Sequence, residues 1–461
     1  MKKLLVVLAL LLFVSSAILA SCEGSNSESS EADFSDVSAE SSLGKAEESS
    51  DTESLESAES SDPSVPEVSQ KPESSVPDVS QPNEDKNDGT LTVTACSFAD
   101  KPYCALIGKC ADGATITGET ESETVVTKSY KGLYSLRLKC TGKSVRVKIS
   151  QTVDGVLVGD TLEYTATPVT PGKDMWPVVA GKDMQFFFQK MLPDFQGTNL
   201  PSEQSLMDLT HRVGTRTAQL KSLNPNAEII YLLVPSTMTV YPELVPEIYT
   251  PASTTKLDMV SEALRNGGAT VIDLKTAFTQ HKNDDMTLYY KLDSHWTDYG
   301  AFVAYTELFN HISKQFPDAK PRALEDFNWY GKDYQSGDMS YYLGMSKYGI
   351  REYAHYRTFK IEVPYSATYV DRYVSYDKLT YSDDVTYERT LTTNNKSLPK
   401  AIVMRDSYST QMYDILAERC YRTYYSGMWN YTWDNSQMNR VKPDYVIYLV
   451  AEWNLDSIIY G

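Results

Sequence analysis

The run Ala227-Glu-Ile-Ile-Tyr-Leu-Leu-Val234 is almost continuously apolar over the length of one β-strand. A strand with one wet face alternates apolar and polar residues, so an unbroken run reads as a strand covered on both faces, as in a parallel sheet. The same signals recur on either side of it. A polar amphipathic stretch over 203–223 precedes the run, 255–266 has helical character closed by Gly267-Gly268, and Ala269-Thr-Val-Ile-Asp-Leu274 is a second strand. After residue 400 come Lys400-Ala-Ile-Val-Met404, the shorter Arg422-Thr-Tyr-Tyr-Ser426 and, behind Pro443, Asp444-Tyr-Val-Ile-Tyr-Leu-Val450. Strands alternating with helices predict an α/β domain with a parallel sheet and flanking helices over 172–461. Within it, 315–400 reads as an insertion of little periodicity. Its tyrosines are either core material or stacking platforms for a glycan.

The chemistry-bearing stretch of this domain is Lys291-Leu-Asp-Ser-His-Trp-Thr-Asp-Tyr-Gly-Ala301. Only five histidines occur in the chain, and His295 alone has a carboxylate two positions before it and a helix-like segment, 301–312, directly after it. An Asp-x-His pair can serve as the acid/base half of a hydrolase or acyl-transferase site, Asp293 orienting an imidazole that takes a proton from a nucleophile elsewhere. The nucleophile candidate is Ser407, three residues past the strand ending at Met404 and followed by a helix expected over 410–419. Loops beyond the C-terminal ends of parallel strands are where sites form, and backbone N–H groups at a helix start can hold a developing oxyanion. Asp406 is expected to make local hydrogen bonds, Trp296 to pack and Ser409 to cap the helix.

The N-terminal part is of a different kind. Residues 1–22 read as an export signal: Lys2 and Lys3, an apolar segment, then Leu19-Ala-Ser-Cys22. That ending resembles the lipobox of bacterial lipoproteins, which implies lipidation of Cys22 and an extracytoplasmic protein anchored to the bacterial cell membrane. Residues 23–88 carry 19 acidic side chains against Lys45, Lys71 and Lys86, with Phe34 the one aromatic, so they read as a disordered acidic tether. Most of the formal net charge of −19 resides there and says little about substrate. No strongly basic stretch occurs, which argues against a nucleic-acid partner. Residues 89–170 show short alternating runs broken by Asp-Gly turns, which predict a small all-β sandwich resembling bacterial Ig-like surface modules and acting as a spacer or glycan binder. Cys96, Cys104, Cys110 and Cys140 lie in this part, and in an exported protein they suggest one or two disulfides rather than a metal site.

Taken together, Asp-Ser-His-Trp-Thr-Asp-Tyr-Gly-Ala, Arg405-Asp-Ser-Tyr-Ser409 and the closing Lys442-Pro-Asp-Tyr-Val-Ile-Tyr-Leu-Val-Ala-Glu-Trp-Asn-Leu455 resemble the DHHW proteins. These are SGNH-hydrolase-like relatives of the alginate O-acetyltransferases of the bacterial cell envelope. Val179-Ala-Gly-Lys-Asp-Met-Gln-Phe-Phe187, Val234-Pro-Ser-Thr-Met-Thr-Val-Tyr-Pro242 and Gly337-Asp-Met339 support it. The resemblance implies a permuted SGNH-like sheet in which Asp293 and His295 precede the nucleophile Ser407, with Tyr413, Tyr408 and Asn454 as substrate or oxyanion candidates. It implies no cofactor and no metal. It also implies an extracellular polysaccharide as substrate and a membrane-bound O-acyltransferase as the partner supplying acetyl groups. The competing class is a non-catalytic glycan-binding or scaffolding lipoprotein of the cell envelope. Two positions depart from the pattern: Arg405 stands where SGNH enzymes usually have Gly, and Glu452-Trp453 where the family commonly has Glu-Arg.

Overall fold

The computed structural model describes residues 88–171, 178–335, 337–363, 365–369 and 388–461. The export signal with Cys22, and the tether up to residue 87, lie outside the described residues. Among those residues no helix is long and apolar enough to cross a membrane.

The first eight strands are β1 (Thr92–Phe98), β2 (Tyr103–Lys109), β3 (Thr115–Glu119), β4 (Thr124–Lys128), β5 (Leu133–Lys139), β6 (Val145–Val153), β7 (Val156–Leu157) and β8 (Leu162–Ala166). They form two antiparallel sheets, β1-β2-β5 and β4-β3-β6-β7, with β8 added to β6. The inward residues of both sheets, among them Leu106, Ile116, Leu136 and Ile149, share one core. The four cysteines of this part are buried and carry no S–S bond in the structure. In register, Cys96 lies opposite Leu106, and Cys104 lies between Phe98 and Leu138. The Cys104 thiol nevertheless has those of Cys96 and Cys140 beside it, and the Cys96 contact together with burial raises its pKa far above the usual thiol range.

Beyond β9 (Val178–Ala180) and β10 (Phe186–Phe188), the chain alternates α1 (Glu203–Leu223), β11 (Glu228–Val234), α2 (Lys256–Asn266), β12 (Thr270–Ile272), α3 (Leu274–His281) and α4 (Asp298–Ile312). Then follow β13 (Phe327–Gln335), β14 (Arg351–Phe359), β15 (Tyr365–Tyr369), β16 (Arg389–Thr393), β17 (Lys400–Arg405), α5 (Tyr413–Glu418), β18 (Arg422–Tyr425), α6 (Asn435–Val441) and β19 (Tyr445–Ala451). One sheet runs β12-β11-β19-β17-β18-β16-β15. Its first five strands are parallel, and β16 and β15 extend one edge antiparallel. The continuous apolar run of β11 is explained by its two covers. Ile230, Leu232 and Val234 pack with α3 and α4, whereas Ile229, Tyr231 and Leu233 pack with α1 and α2. Tyr231 stacks on Tyr448 of β19 at 4.6 Å between ring centroids.

Two expectations need correction. The segment 315–400 is not without regular structure: β13 and β14 pair antiparallel over nine residues each, and β16 joins the main sheet. Tyrosine-rich alternation conceals the period-2 signal because both faces of the hairpin carry aromatic rings, such as Tyr330 stacked on Tyr356. The helix expected over 410–419 is also split, into a 3₁₀ turn at Ser407–Gln411 and α5. Asp406 caps the turn by accepting from Tyr408 N–H (3.1 Å), while Ser409 Oγ bonds back to the Asp406 carbonyl (2.8 Å) and is not the cap.

Candidate active site

Because the first five strands are parallel, their C-terminal ends share one edge of the sheet, where loops with exposed backbone groups gather. Ser407 follows β17 by two residues there, and Glu452 follows β19 directly. The loop between α3 and α4 brings His295 to the same edge. Thr297 caps α4, its hydroxyl accepting from Tyr299 and Gly300 N–H. Gly300 is required by close approach, since a Cβ there would lie 2.3 Å from the Leu288 carbonyl oxygen. Trp296 is fully buried and donates from Nε1 to the Tyr408 carbonyl at 2.8 Å, tying the histidine loop to the serine loop.

The three residues singled out in the sequence meet. Asp293 Oδ1 lies 2.7 Å from His295 Nδ1, and His295 Nε2 lies 2.8 Å from Ser407 Oγ. Asp293 also accepts from the His295 backbone N–H at 3.0 Å, fixing the Asp-x-His turn. The Tyr408 ring packs against the imidazole at 4.9 Å, and its hydroxyl donates to the Ser294 carbonyl. Burial works against a charged imidazole here, but the Asp293 carboxylate, with Asp338 and Asp406 beyond it, outweighs burial and lifts the pKa of His295 to about 9.

The other predicted residues are placed differently. Asn454 donates to the Tyr431 hydroxyl (3.2 Å) and accepts from Ser457 (2.7 Å). Tyr413 stacks on Tyr425 at 4.2 Å, and its hydroxyl is buried without a partner among the described residues. Asp406 holds Tyr408 N–H and, through its other oxygen, Ala451 N–H at 2.8 Å. The backbone N–H of Tyr408, one of the substrate or oxyanion candidates, is therefore taken. Arg405 turns into the core and donates to the Ser426 carbonyl at 3.0 Å, with burial lowering its pKa to about 10. Trp453 packs edge-on against Phe188 with Lys190 over its ring, so the final Glu-x position is occupied by an apolar contact.

Three further carboxyls around the site, none of them expected as a site residue, are Asp338, Glu352 and Glu452. Asp338 accepts from Ser294 N–H (2.8 Å) and the Ser294 hydroxyl, and its own N–H donates to Asp293 Oδ2 at 3.3 Å. Gly337 lets it approach, since a Cβ there would lie 2.2 Å from the Leu292 carbonyl oxygen. Burial, and then the neighbouring Asp293, push the Asp338 carboxyl up to about 7. Glu352 accepts from the N–H groups of Lys291 (2.5 Å) and Leu292 (2.8 Å), and Glu452 accepts from Ser236 N–H (2.6 Å) and the Thr239 hydroxyl (2.8 Å). Burial raises these to about 8 and about 7 respectively. Gly337-Asp-Met339 marks the family pattern, but a lone Gly-Asp carries no chemistry until it is seen against Asp293. Asp293, His295 and Asp338 bring ligand-type atoms within 4.8 Å of one another, yet both imidazole nitrogens are engaged with Asp293 and Ser407, an arrangement suited to moving a proton.

The sheet and its helices form a mixed α/β domain preceded by an N-terminal β-rich region, and the SGNH-like part is marked by a family match. Residues 178–366 match the family model described as the SGNH hydrolase-like domain of acetyltransferase AlgX, which spans Asp293, His295 and Asp338 and ends before Ser407. A search of curated proteins finds no match. Among solved structures the chain is similar to a DHHW family protein from Eubacterium siraeum, at 13% identity, 68% of this chain, 92% of that one and a TM-score of 0.41. It is also similar to the O-acetyltransferase domain of Pseudomonas putida AlgJ, at 18% identity, 61% and 92% coverage and a TM-score of 0.40. Bacillus cereus PatB1 gives 18% identity, 56% and 91% coverage and a TM-score of 0.43. Residues 178–366 thus match an acetyltransferase-like SGNH domain.

Proposed function

We propose that this protein is a cell-surface lipoprotein that transfers or removes acetyl groups on an extracellular polysaccharide, using Ser407 as nucleophile, His295 as general base and Asp293 as the residue orienting the imidazole. The observation that carries the reading is the unbroken relay Asp293–His295–Ser407, at 2.7 Å and 2.8 Å. With Nδ1–H held by Asp293, Nε2 accepts the Ser407 proton as Oγ attacks an acetyl carbonyl carbon. The ester bond of the donor then breaks, and its leaving oxygen takes that proton from His295. In the second half a sugar hydroxyl or water gives a proton to His295 and attacks the acetyl-serine, and Ser407 recovers its proton. Cys22 would hold the protein to the membrane by lipid, and a membrane-bound O-acyltransferase would supply the acetyl group.

The engaged Tyr408 amide favours a second reading, a glycan-binding lipoprotein without turnover, because that N–H is held by Asp406 and cannot stabilise an oxyanion. Turnover of p-nitrophenyl acetate by the purified full-length protein separates the two. Catalysis requires that Ser407→Ala and His295→Ala each lower the rate about 10³-fold. Equal rates in wild type and both variants would leave only the binding reading.

A further inference from the structure

Asp293 and Asp338, the two carboxyls behind His295, are each reached from the β-rich region by a separate contact. The first comes from the hairpin between β4 and β5, in which the backbones of Tyr130 and Leu133 bond each other both ways, at 2.8 and 3.0 Å. Only Lys131 and Gly132 lie between them, with φ of 49° and 74°. Two positive φ values in a two-residue loop match the tight turn whose first place Asn, Asp or Gly usually takes. Lysine is disfavoured there by its own backbone, and its side chain makes a contact those residues could not: Nζ lies 5.4 Å from the centre of the Tyr353 ring. Tyr130 makes the reciprocal contact from the same turn. Its ring receives the Lys291 ammonium at 5.2 Å, and its hydroxyl donates to the Tyr353 carbonyl at 3.0 Å. A cation over a ring face is attracted to it, more strongly as water is excluded, so the hairpin holds Lys291 and Tyr353 by paired contacts.

Those two residues border the orienting carboxylate. Lys291 stands two positions before Asp293, and Tyr353 follows Glu352, whose carboxylate accepts from the N–H groups of Lys291 and Leu292. The second contact comes from β1. Ser97 is fully buried and donates to the Leu343 carbonyl at 2.5 Å, and Leu343 ends the short helix Asp338–Tyr342. Apolar packing joins the same places. Leu292, next to Asp293, and Met339, next to Asp338, belong to one buried cluster with Ala95, Ala105 and Ile107 of β1 and β2. Close-packed interiors transmit a displacement instead of absorbing it, so a shift of the β-rich region would carry both carboxyls with it. A spacer that merely docks needs apolar cover; it does not need polar contacts leading to both acids.

We propose that the β-rich region is a positioning element of the Asp293–His295–Ser407 site, with Tyr130 setting the Asp293 loop and Ser97 the Asp338 helix. This rests on the acyl-transfer reading for the task Asp293 performs, but the placing of the acids can be followed without turnover, at His295. The imidazole is faced by Asp293, Asp338 and Asp406 and packed by the Tyr408 ring, and the carboxylates hold its pKa up at about 9. Slack in Asp293 or Asp338 lowers it. The test is an NMR titration of the full-length protein with isotope-labelled histidine, the His295 signal being assigned by its loss in His295→Gln, alongside turnover of p-nitrophenyl acetate. Tyr130→Ala and Ser97→Ala should each lower the His295 pKa by about half a unit or more. Each should also lower kcat about tenfold with KM nearly unchanged, since a misplacement of about 1 Å can cost roughly a hundredfold. Tyr130→Phe keeps the ring on Lys291 and loses only the hydroxyl, so it tests the proposal even where Tyr130→Ala fails to fold, and it should shift both readings the same way by less. A His295 pKa and a kcat that stay at their wild-type values in the folded variants, with or without a lower melting temperature, would overturn the proposal and leave the contacts as docking alone. If the wild type does not turn over the ester, the acyl-transfer reading falls and the pKa shift by itself decides the positioning. Wild-type turnover with neither reading moved in the variants does the reverse.

Discussion

Asp293 serves two neighbours at once, His295 through Oδ1 and the Asp338 backbone through Oδ2. The Asp338 carboxyl adds a second negative charge behind the imidazole, which Asp406 also faces from the β17 side, while Glu352 and Tyr342 border the carboxyl pair. A general base works in its neutral form, so activity rises with pH through the pKa of His295, placed near 9 by these charges. Asp338→Asn removes one of them while keeping an acceptor for Ser294. The acid limb of the kcat/KM profile for an activated acetyl ester should therefore move to lower pH, by on the order of one unit. A limb that stays in place would show that Asp338 acts only as packing. Asp293, His295 and Ser407 could be read from sequence because each sits in a short motif whose order survives without contacts. Asp338 lies 45 positions from Asp293, and nothing local in the sequence says which backbone it will face.

Among the elements, those that could be read were the ones whose burial is symmetrical. Strands β11, β17 and β19 are covered on both faces, and that cover writes a continuous apolar run into each. The β13–β14 hairpin was not legible, since its pairing depends on a partner strand and its faces are both aromatic. Yet this hairpin holds the site, for Glu352 near the start of β14 takes the N–H groups of Lys291 and Leu292 just before Asp293. Glu352→Ala leaves two buried amides unpaired, a loss of about 2–3 kcal/mol. It should appear as a lower urea midpoint with an unchanged slope, and an unchanged midpoint would mean the loop is held by other contacts.

At the scale of the molecule, the β-rich region is docked against the larger part, whereas a spacer would hang free of it. Ala95, Ala105 and Ile107 share an apolar cluster with Val179, Phe187 and Met339. Ser97 donates to the Leu343 carbonyl (2.5 Å), Tyr130 to the Tyr353 carbonyl (3.0 Å) and Tyr249 to Asp100 (3.0 Å). Differential scanning calorimetry should accordingly show one cooperative transition for the folded part, and two well-separated transitions would show that the regions unfold independently. The docking was hidden from sequence because these contacts join residues far apart in the chain, with no motif at either end. The place of β19 has a consequence for how the protein is made. The latest strand in the chain lies between β11 and β17 at the middle of the sheet, so a chain synthesised N-terminus first cannot complete the sheet until Tyr445–Ala451 emerges. The earlier strands must wait with apolar edges open, a long-range closure that makes folding slow and gives a chaperone something to guard.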